Sequence, residues 1–435
     1  MTGLEIGIGA TVAMVLLVYA GMHVSIALAL TSFVGVWLLR DSPVLASRLL
    51  SLAVGDSINS YIFGVVPLFV LMGLVVSEAQ IGRDTFDVAN RAFRRMRGGL
   101  GLATVGANTV FAAITGISIA SAAVFARVAV PEMLRVGHTP RFATGVVAGS
   151  SVLGMLIPPS LLLILYAVLT EQSVGDLFMA GIIPGLVLAV AFGVLIWLLC
   201  RQAPGFTGTA RPDLSPAADT AGGLAVKILP IALLVALVLG GIYGGLFTPT
   251  EAGAVGALGA IVIAAARRRL GWRGLWRVTI ETGHITAAIC FLIIAAVMYS
   301  RMLSMTGLPS ALAGWITAAD VGIYGFLAIY VLVLIAMGTV LDSSSIMLIV
   351  LPLVLPIATG LQLDLVWFGI ITVLAVEIGL LTPPLGLSVY VIKGTLADPE
   401  IRLGEIFAGA APFAFVMLLV LILVVAVPPL ATILL

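Results

Sequence analysis

The sequence predicts an all-α polytopic membrane protein, built as an inverted-topology repeat of about ten transmembrane helices plus two re-entrant helical hairpins. Three observations predict it. Composition comes first: 61% of the 435 residues are hydrophobic and only 9% are charged, where an ordinary soluble domain carries about 25% charged residues. At roughly 20 apolar residues per crossing, the length leaves room for ten spans, hairpins and loops. Second, a pattern recurs. Pro158-Pro159 returns as Pro383-Pro384, and Gly82, Ser118, Pro131 and Gly154 return as Gly307, Ser343, Pro356 and Gly379, all 225 residues later. Nearer the C-terminus the spacing becomes 228, pairing Ala180-Gly181 and Pro184 with Ala408-Gly409 and Pro412. Third, the basic residues of the two copies lie on opposite sides. Loop 83–97 holds five Arg and its partner 308–322 holds none; loop 127–141 holds three and 352–366 none; conversely 267–277 holds five and 42–52 only Arg48. Since Lys and Arg of short loops stay cytoplasmic, the copies face opposite ways.

Taken in order, the apolar start carries Glu5 as its only charge in the first twenty residues; without a basic n-region it reads as a retained span and not as a cleaved signal. Residues 1–200 form the first repeat. Its segment 98–126 is flanked by Arg on both sides, so it cannot cross once and is expected to be a hairpin from the cytoplasm, with arms of about 14 residues or ~21 Å. Segment 142–169 crosses outward, interrupted at Gly154 to Ser160, and 178–200 returns. Residues 201–225, with Pro204, Pro212 and Pro216, have linker composition. The second repeat, 226–435, mirrors this with a hairpin at 323–351, a broken helix at 366–392 interrupted at Thr382-Pro383-Pro384, and a last crossing through 406–435.

Irregular backbone at membrane depth is tolerated only where it is buried in protein or lines a wet cavity, and a Pro doublet frees carbonyls by removing their donors. The first tip reads Thr115-Gly116-Ile117-Ser118-Ile119-Ala120-Ser121 and the first break Gly154-Met155-Leu156-Ile157-Pro158-Pro159-Ser160. Converging hydroxyls and carbonyls without thiolate or imidazole suit a hard cation, Na⁺ before a transition metal; helix kinks with Ser and Thr bonded back to the preceding turn are the bland alternative. The second copy adds carboxylates, Asp342 at the tip beside Gly338 and Ser343, and Glu377 before Gly379, Thr382 and Pro384 at the break. An ionisable group in an apolar segment costs at least ~2.5 kcal/mol and marks a functional site by default, although Asp342 also fits a helix N-cap. Ser121, Ser160, Ser345 and Glu377 flank tips and breaks as candidate substrate contacts. Glu251, after Thr248-Pro249-Thr250, suits a cap as well as transport. His23, His138 and His284 are scattered and form no zinc motif; Cys200 and Cys290 lack CxxC spacing and read as packing residues. The Arg clusters read as cytoplasmic anchors and anionic-lipid contacts. A net charge of +1 with no basic stripe excludes a nucleic-acid footprint, and no Ser/His or paired-Asp set supports an intramembrane hydrolase.

These residues resemble the large membrane subunit of tripartite ATP-independent periplasmic (TRAP) transporters over nearly the whole chain. The resemblance rests on FTPTEAGA at Phe247 to Ala254, GMLIPPS at Gly154 to Ser160 followed by Tyr166, Leu341-Asp342, LPLVLP at Leu351 to Pro356, and GLLTPPLGLSVYVIKG within Trp367 to Gly394. It implies an elevator-type secondary transporter in the bacterial inner membrane, driven by Na⁺. It also implies a separate small four-helix membrane subunit and a periplasmic substrate-binding protein delivering an organic acid such as a dicarboxylate or sialic acid. Carried over by position, one cation site would use Thr115, Gly116, Ser118, Gly154 and Pro158, and a second Gly338, Asp342, Ser343, Gly379, Thr382 and Pro384. Ile117 to Ser121 departs from the more consecutive Ser or Gly usual at the first tip. An H⁺-coupled or binding-protein-independent carboxylate carrier of the same fold is the alternative.

Overall fold

The computed structural model describes residues 2–59, 64–208 and 221–435; of the expected linker, 209–220 lie outside the described residues. Among those described, the chain is helical throughout. The first half comprises α1 (Gly3–Tyr19), α2 (Val24–Arg40), α3 (Pro43–Asn59), α4 (Val65–Glu78), α5 (Ile81–Phe93), α6 (Gly99–Thr115), α7 (Ser118–Arg135), α8 (Pro140–Ser151), α9 (Leu153–Leu156), α10 (Leu161–Thr170) and α11 (Val174–Gln202). After the short α12 (Pro204–Thr207) come α13 (Ala221–Tyr243), α14 (Pro249–Ala266), α15 (Trp272–Thr306), α16 (Leu308–Ala318), α17 (Gly322–Gly338), α18 (Ser343–Gly360), α19 (Leu365–Leu381), α20 (Leu387–Leu396), α21 (Leu403–Ala426) and α22 (Pro429–Thr432).

Element bounds keep the 225-residue spacing: α7 coincides with α18 at both ends, and the run from the start of α8 to the end of α9 coincides with α19. Local chemistry sets the boundaries. Gly116 ends α6 in the left-handed region (φ 64°), which a residue without Cβ enters at little cost. Thr139 caps α8 with Pro140 at its first position, Ser173 caps α11, and Asp364 caps α19 by accepting from the amides of Val366 and Trp367. Thr248 and Glu251 form a capping box on α14, so structure gives Glu251 the capping role.

Several expected bounds shift. The hairpin arms are 17 and 18 residues in the first copy and 17 and 18 in the second, longer than 98–126 and 323–351, because Pro131 and Pro356 sit inside the helices and do not end them. The linker begins inside helix, with α11 reaching Gln202 and α12 following, and α13 starts five residues before 226. The final crossing stops at Ala426, just before Pro428. Against about ten crossings, seven helices among the described residues are long and apolar enough to cross, or eight counting α4 and α5, bent by 64°, as one span. The shortfall is one of length. α1 and α2 have 17 residues each, about 26 Å at 1.5 Å per residue, slightly under the ~30 Å hydrocarbon thickness.

The core lies around the broken helices. The window within Pro140–Thr170 is 89% buried inside the protein, whereas that within Gly223–Tyr243 is 22% buried, so the former is wrapped by other helices and the latter faces lipid. Backbones approach closely at glycines: a Cβ on Gly145 would sit 2.3 Å from the Gly409 carbonyl oxygen, and one on Gly409 2.0 Å from that of Arg141. This crossing of α8 and α21 joins the two halves, as small residues do at membrane helix contacts. The indole Nε1–H of Trp367 donates to the Val424 carbonyl at 2.8 Å, and the Tyr166 hydroxyl to that of Leu365 at 2.6 Å, so both bury their polar ends satisfied.

Candidate functional site

Each tip is bonded to the break of its own half. The Gly116 carbonyl accepts from the amide of Leu161 at 3.1 Å, and the Thr339 carbonyl from those of Leu385 and Gly386 at 3.0 and 3.2 Å. A Cβ on Gly116 would strike the Pro159 carbonyl oxygen at 2.3 Å, and one on Gly154 would press Ile117 and Ser118 backbone at 3.2 Å. In the second half Gly338 and Gly379 meet so closely that a Cβ on either lies 2.6 Å from the Cα of the other. Both Pro doublets, Pro158-Pro159 and Pro383-Pro384, are cis. Their surroundings differ: Pro158, Pro159 and Ser160 are buried, whereas Pro383 and Pro384 are exposed.

Groups expected in three separate places come together at one. Glu377, 1% exposed, accepts from the Ser343 hydroxyl at 2.9 Å through Oε1. Ser118, the counterpart of Ser343 in the other half, lies against the same carboxylate, while Ser118 Oγ and Glu377 Oε2 fall outside good hydrogen-bond geometry with any partner. A buried polar atom left bare costs about 1–3 kcal/mol, so a proton or a cation between these two oxygens would be stabilised here. Asp342 caps α18, accepting from the Ser345 amide at 3.1 Å and from its hydroxyl; Ser345 is thereby occupied. Other hydroxyls are spent locally: Thr115 on the Phe111 carbonyl at 3.0 Å, Thr382 on that of Ile378 at 2.8 Å, and Ser160 on that of Met155 while capping α10. Thr115 and Thr382 thus follow the bland pattern of bonding to their own helix.

Four helix N-termini converge on the tips and breaks. Those of α10 and α18 are capped by Ser160 and Asp342, but those of α7 and α20 have no side-chain cap. The two uncapped helices come from opposite halves and pack against each other. Near their starts Ser121 and Ser388 are buried, each with an unpartnered hydroxyl. Open amides at a helix N-terminus carry partial positive charge, which suits an anion. Ser388 is absent from the sequence-based set; as the third residue after Leu385 in a break otherwise read for cations, it could have been found by asking which N-termini lack caps. Asn108, buried in α6 and donating to Ser150 at 2.6 Å, was also missed, and an amide inside an apolar arm was its signal. Among the described residues no three His, Cys, Asp or Glu group as metal ligands, so a cation here would be held by hydroxyls, carbonyls and single carboxylates.

The model for "Tripartite ATP-independent periplasmic transporter, DctM component" matches residues 11–430. A C4-dicarboxylate TRAP transporter large permease protein of Pseudomonas aeruginosa is 35% identical over 385 residues, covering 88% of each chain, and one of Rhodobacter capsulatus is 32% identical over 434 residues, covering 95% of each. Among solved structures, that of Neisseria gonorrhoeae MtrF, described as illuminating a class of antimetabolite efflux pumps, aligns with TM-score 0.64 at 13% identity, over 91% of this chain and 85% of that one.

Proposed function

Because this chain belongs to the DctM-component family of TRAP transporters, we propose that it is the large permease subunit for uptake of a small organic acid, cotransported with Na⁺ by an elevator movement of the hairpins and broken helices against the remaining helices. The observation that carries the reading is the pair of uncapped N-termini of α7 and α20, with the open hydroxyls of Ser121 and Ser388. They are suited to a carboxylate, and α7 begins at Ser118, whose Oγ is bare like Glu377 Oε2. Sodium is a cosubstrate here. The donor set fits it: oxygens only, with the carboxyl groups of Asp342 and Glu377 on the second half and the closely packed Gly338 and Gly379 backbones beside them. Cation and carboxylate would each make the other's desolvation cheaper, which couples their passage. A C4-dicarboxylate is the cargo class that the two relatives' names support. The small membrane subunit and a periplasmic binding protein are the partners the family supports.

Substrate uptake into proteoliposomes containing the chain, its small subunit and the cognate binding protein tests this. Uptake should require an inward Na⁺ gradient and the binding protein, and Asp342→Ala should reduce it at least tenfold. Gradient-independent uptake overturns the coupling. A second reading, H⁺ coupling, is favoured by the unpartnered Glu377 Oε2, which a proton would satisfy; it predicts uptake driven by a pH gradient without Na⁺, and Glu377→Gln would then uncouple it.

A further inference from the structure

A cavity of about 630 Å³ lies between α7, the second arm of the first hairpin, and the helices α4, α5 and α15. Along α7 its wall is Ala120, Ala123, Val124 and Arg127, positions of one helical face. Ala120 lies two residues from Ser118, and Arg127 lies about 10 Å further along at 1.5 Å per residue. The flanking basic loops place the Arg127 end on the cytoplasmic side. The cavity therefore extends along α7 from Ala120, one turn inside the tip, toward the Arg127 end.

Several neighbouring cations are engaged: Arg267 and Arg269 with Asp84, Lys227 with Asp87, and Arg277, at the cavity's edge, with Glu78. Arg83 and Arg127 line the cavity, are exposed, and make no ion pair among the described residues. Arg83 cannot turn to its neighbour Asp84, which is 3% exposed and already holds two guanidinium groups. Glu281 is the one acid in the wall without such a partner. Two free guanidinium groups against one free carboxylate leave the passage positive, and a low-dielectric cleft concentrates that field.

Resting on the transport reading above, we infer that this cavity is the vestibule through which cargo leaves, and that Arg127 and Arg83 form in it a second, cytoplasmic site for carboxylates. Cargo released from the α7 N-terminus meets the Arg127 guanidinium on the same helix. This gives the anion a stepwise descent and resists its capture by the membrane potential, which disfavours anions in the cytoplasm.

The test needs no knowledge of the natural cargo. Ala123→Cys, in a chain with Cys200→Ser and Cys290→Ser and reconstituted with its small subunit, is labelled from the cytoplasmic side. The probes are a negatively charged sulfonatoethyl and a positively charged trimethylammonioethyl methanethiosulfonate. The anionic reagent should react about three- to tenfold faster than the cationic one relative to their rates with free thiol, and adding Arg127→Gln or Arg83→Gln should erase most of that preference while Arg127→Lys keeps it. Succinate at millimolar concentration should slow labelling and neutral succinamide should not. Equal rates, an unchanged preference in both Gln variants, or equal protection by succinamide would overturn the site. Comparing phosphatidylcholine liposomes with ones containing phosphatidylglycerol separates lipid from cargo. Labelling blocked only by the anionic lipid, with no effect of succinate, would assign the site to a headgroup and overturn the vestibule. A complex that labels as expected but transports nothing with its binding protein refutes the transport reading; an active complex without charge preference refutes the vestibule alone.

Discussion

Glu377 accepts from Ser343 and keeps its second oxygen bare against Ser118, so its size and its charge separate by substitution. Glu377→Gln preserves an acceptor for Ser343 and should fold; Glu377→Ala strands a buried hydroxyl and opens a void, and should cost about 2–4 kcal/mol, read as a lower midpoint of unfolding in detergent. If the carboxylate serves a cation, the wild type should gain thermal stability with Na⁺ and Glu377→Gln should gain less. Between α7 and α8, the His138 Nδ1–H donates to the Thr207 carbonyl at 2.8 Å and the ring packs, tilted, against Phe142. Its burial pushes its pKa below the usual histidine value, more than the bond to Thr207 raises it. The folded state thus binds the proton less readily than the unfolded one, so stability should be full above about pH 6.5 and fall as pH drops through that value, levelling off below the folded pKa. Unfolding midpoints between pH 7.5 and 5.5 should show the drop, and His138→Gln should flatten it; a pH-independent wild type would refute the buried neutral imidazole.

Helix crossings turn glycine positions into predictions. Gly338→Ala or Gly379→Ala places a Cβ 2.6 Å from backbone of the opposing helix, a clash that rotamer change cannot relieve. Either should part tip from break and abolish uptake, whereas Gly240→Ala, with nothing within 4 Å, should leave it intact. Uptake assays beside expression and size-exclusion profiles check both. These elements also show what the sequence discloses. Turns and breaks were legible because they are written in covalent chemistry: Gly116 and the Pro doublets interrupt apolar runs, and the 225-residue recurrence marked both copies. Arm lengths were not, because Pro131 and Pro356 sit within helices that packing keeps continuous. The convergence of Ser118, Ser343 and Glu377 was hidden for another reason. It depends on which helices from opposite halves lie side by side, and neither periodicity nor spacing encodes that, so Ser388 beside the open α20 N-terminus stayed unseen.

Across the molecule, the Arg-rich ends of the two halves are tied by ion pairs of unequal worth. Glu78, Asp84 and Asp87 on α4 and α5 meet Arg277, Arg267 with Arg269, and Lys227 from the second half. Burial decides between them. Asp84 is 3% exposed and receives Arg269 through both carboxylate oxygens, at 2.7 and 3.2 Å, as well as Arg267, and Arg269 also donates to the Ala79 carbonyl at 3.1 Å. Removing that carboxylate leaves two guanidinium groups facing each other, Arg267 with little water and Arg269 about a third exposed, and breaking such a set by one partner costs up to about 3–5 kcal/mol, less the share that water at Arg269 screens. The Lys227 to Asp87 pair is about a third exposed on the acid side, where an ion pair contributes roughly 0–1 kcal/mol and salt screens it. Asp84→Asn should therefore lower the unfolding midpoint of the detergent-solubilised chain strongly and in a way that added salt barely changes, while Asp87→Asn should shift it little and less still at high salt. If α4, α5, α14 and α15 belong to the static part of an elevator, Asp84→Asn should also slow uptake without altering the Na⁺ concentration for half-maximal rate, because it loosens the frame and leaves the tips alone. A changed Na⁺ dependence would mean that these helices move with the site, and the division between frame and carrier would have to be drawn elsewhere.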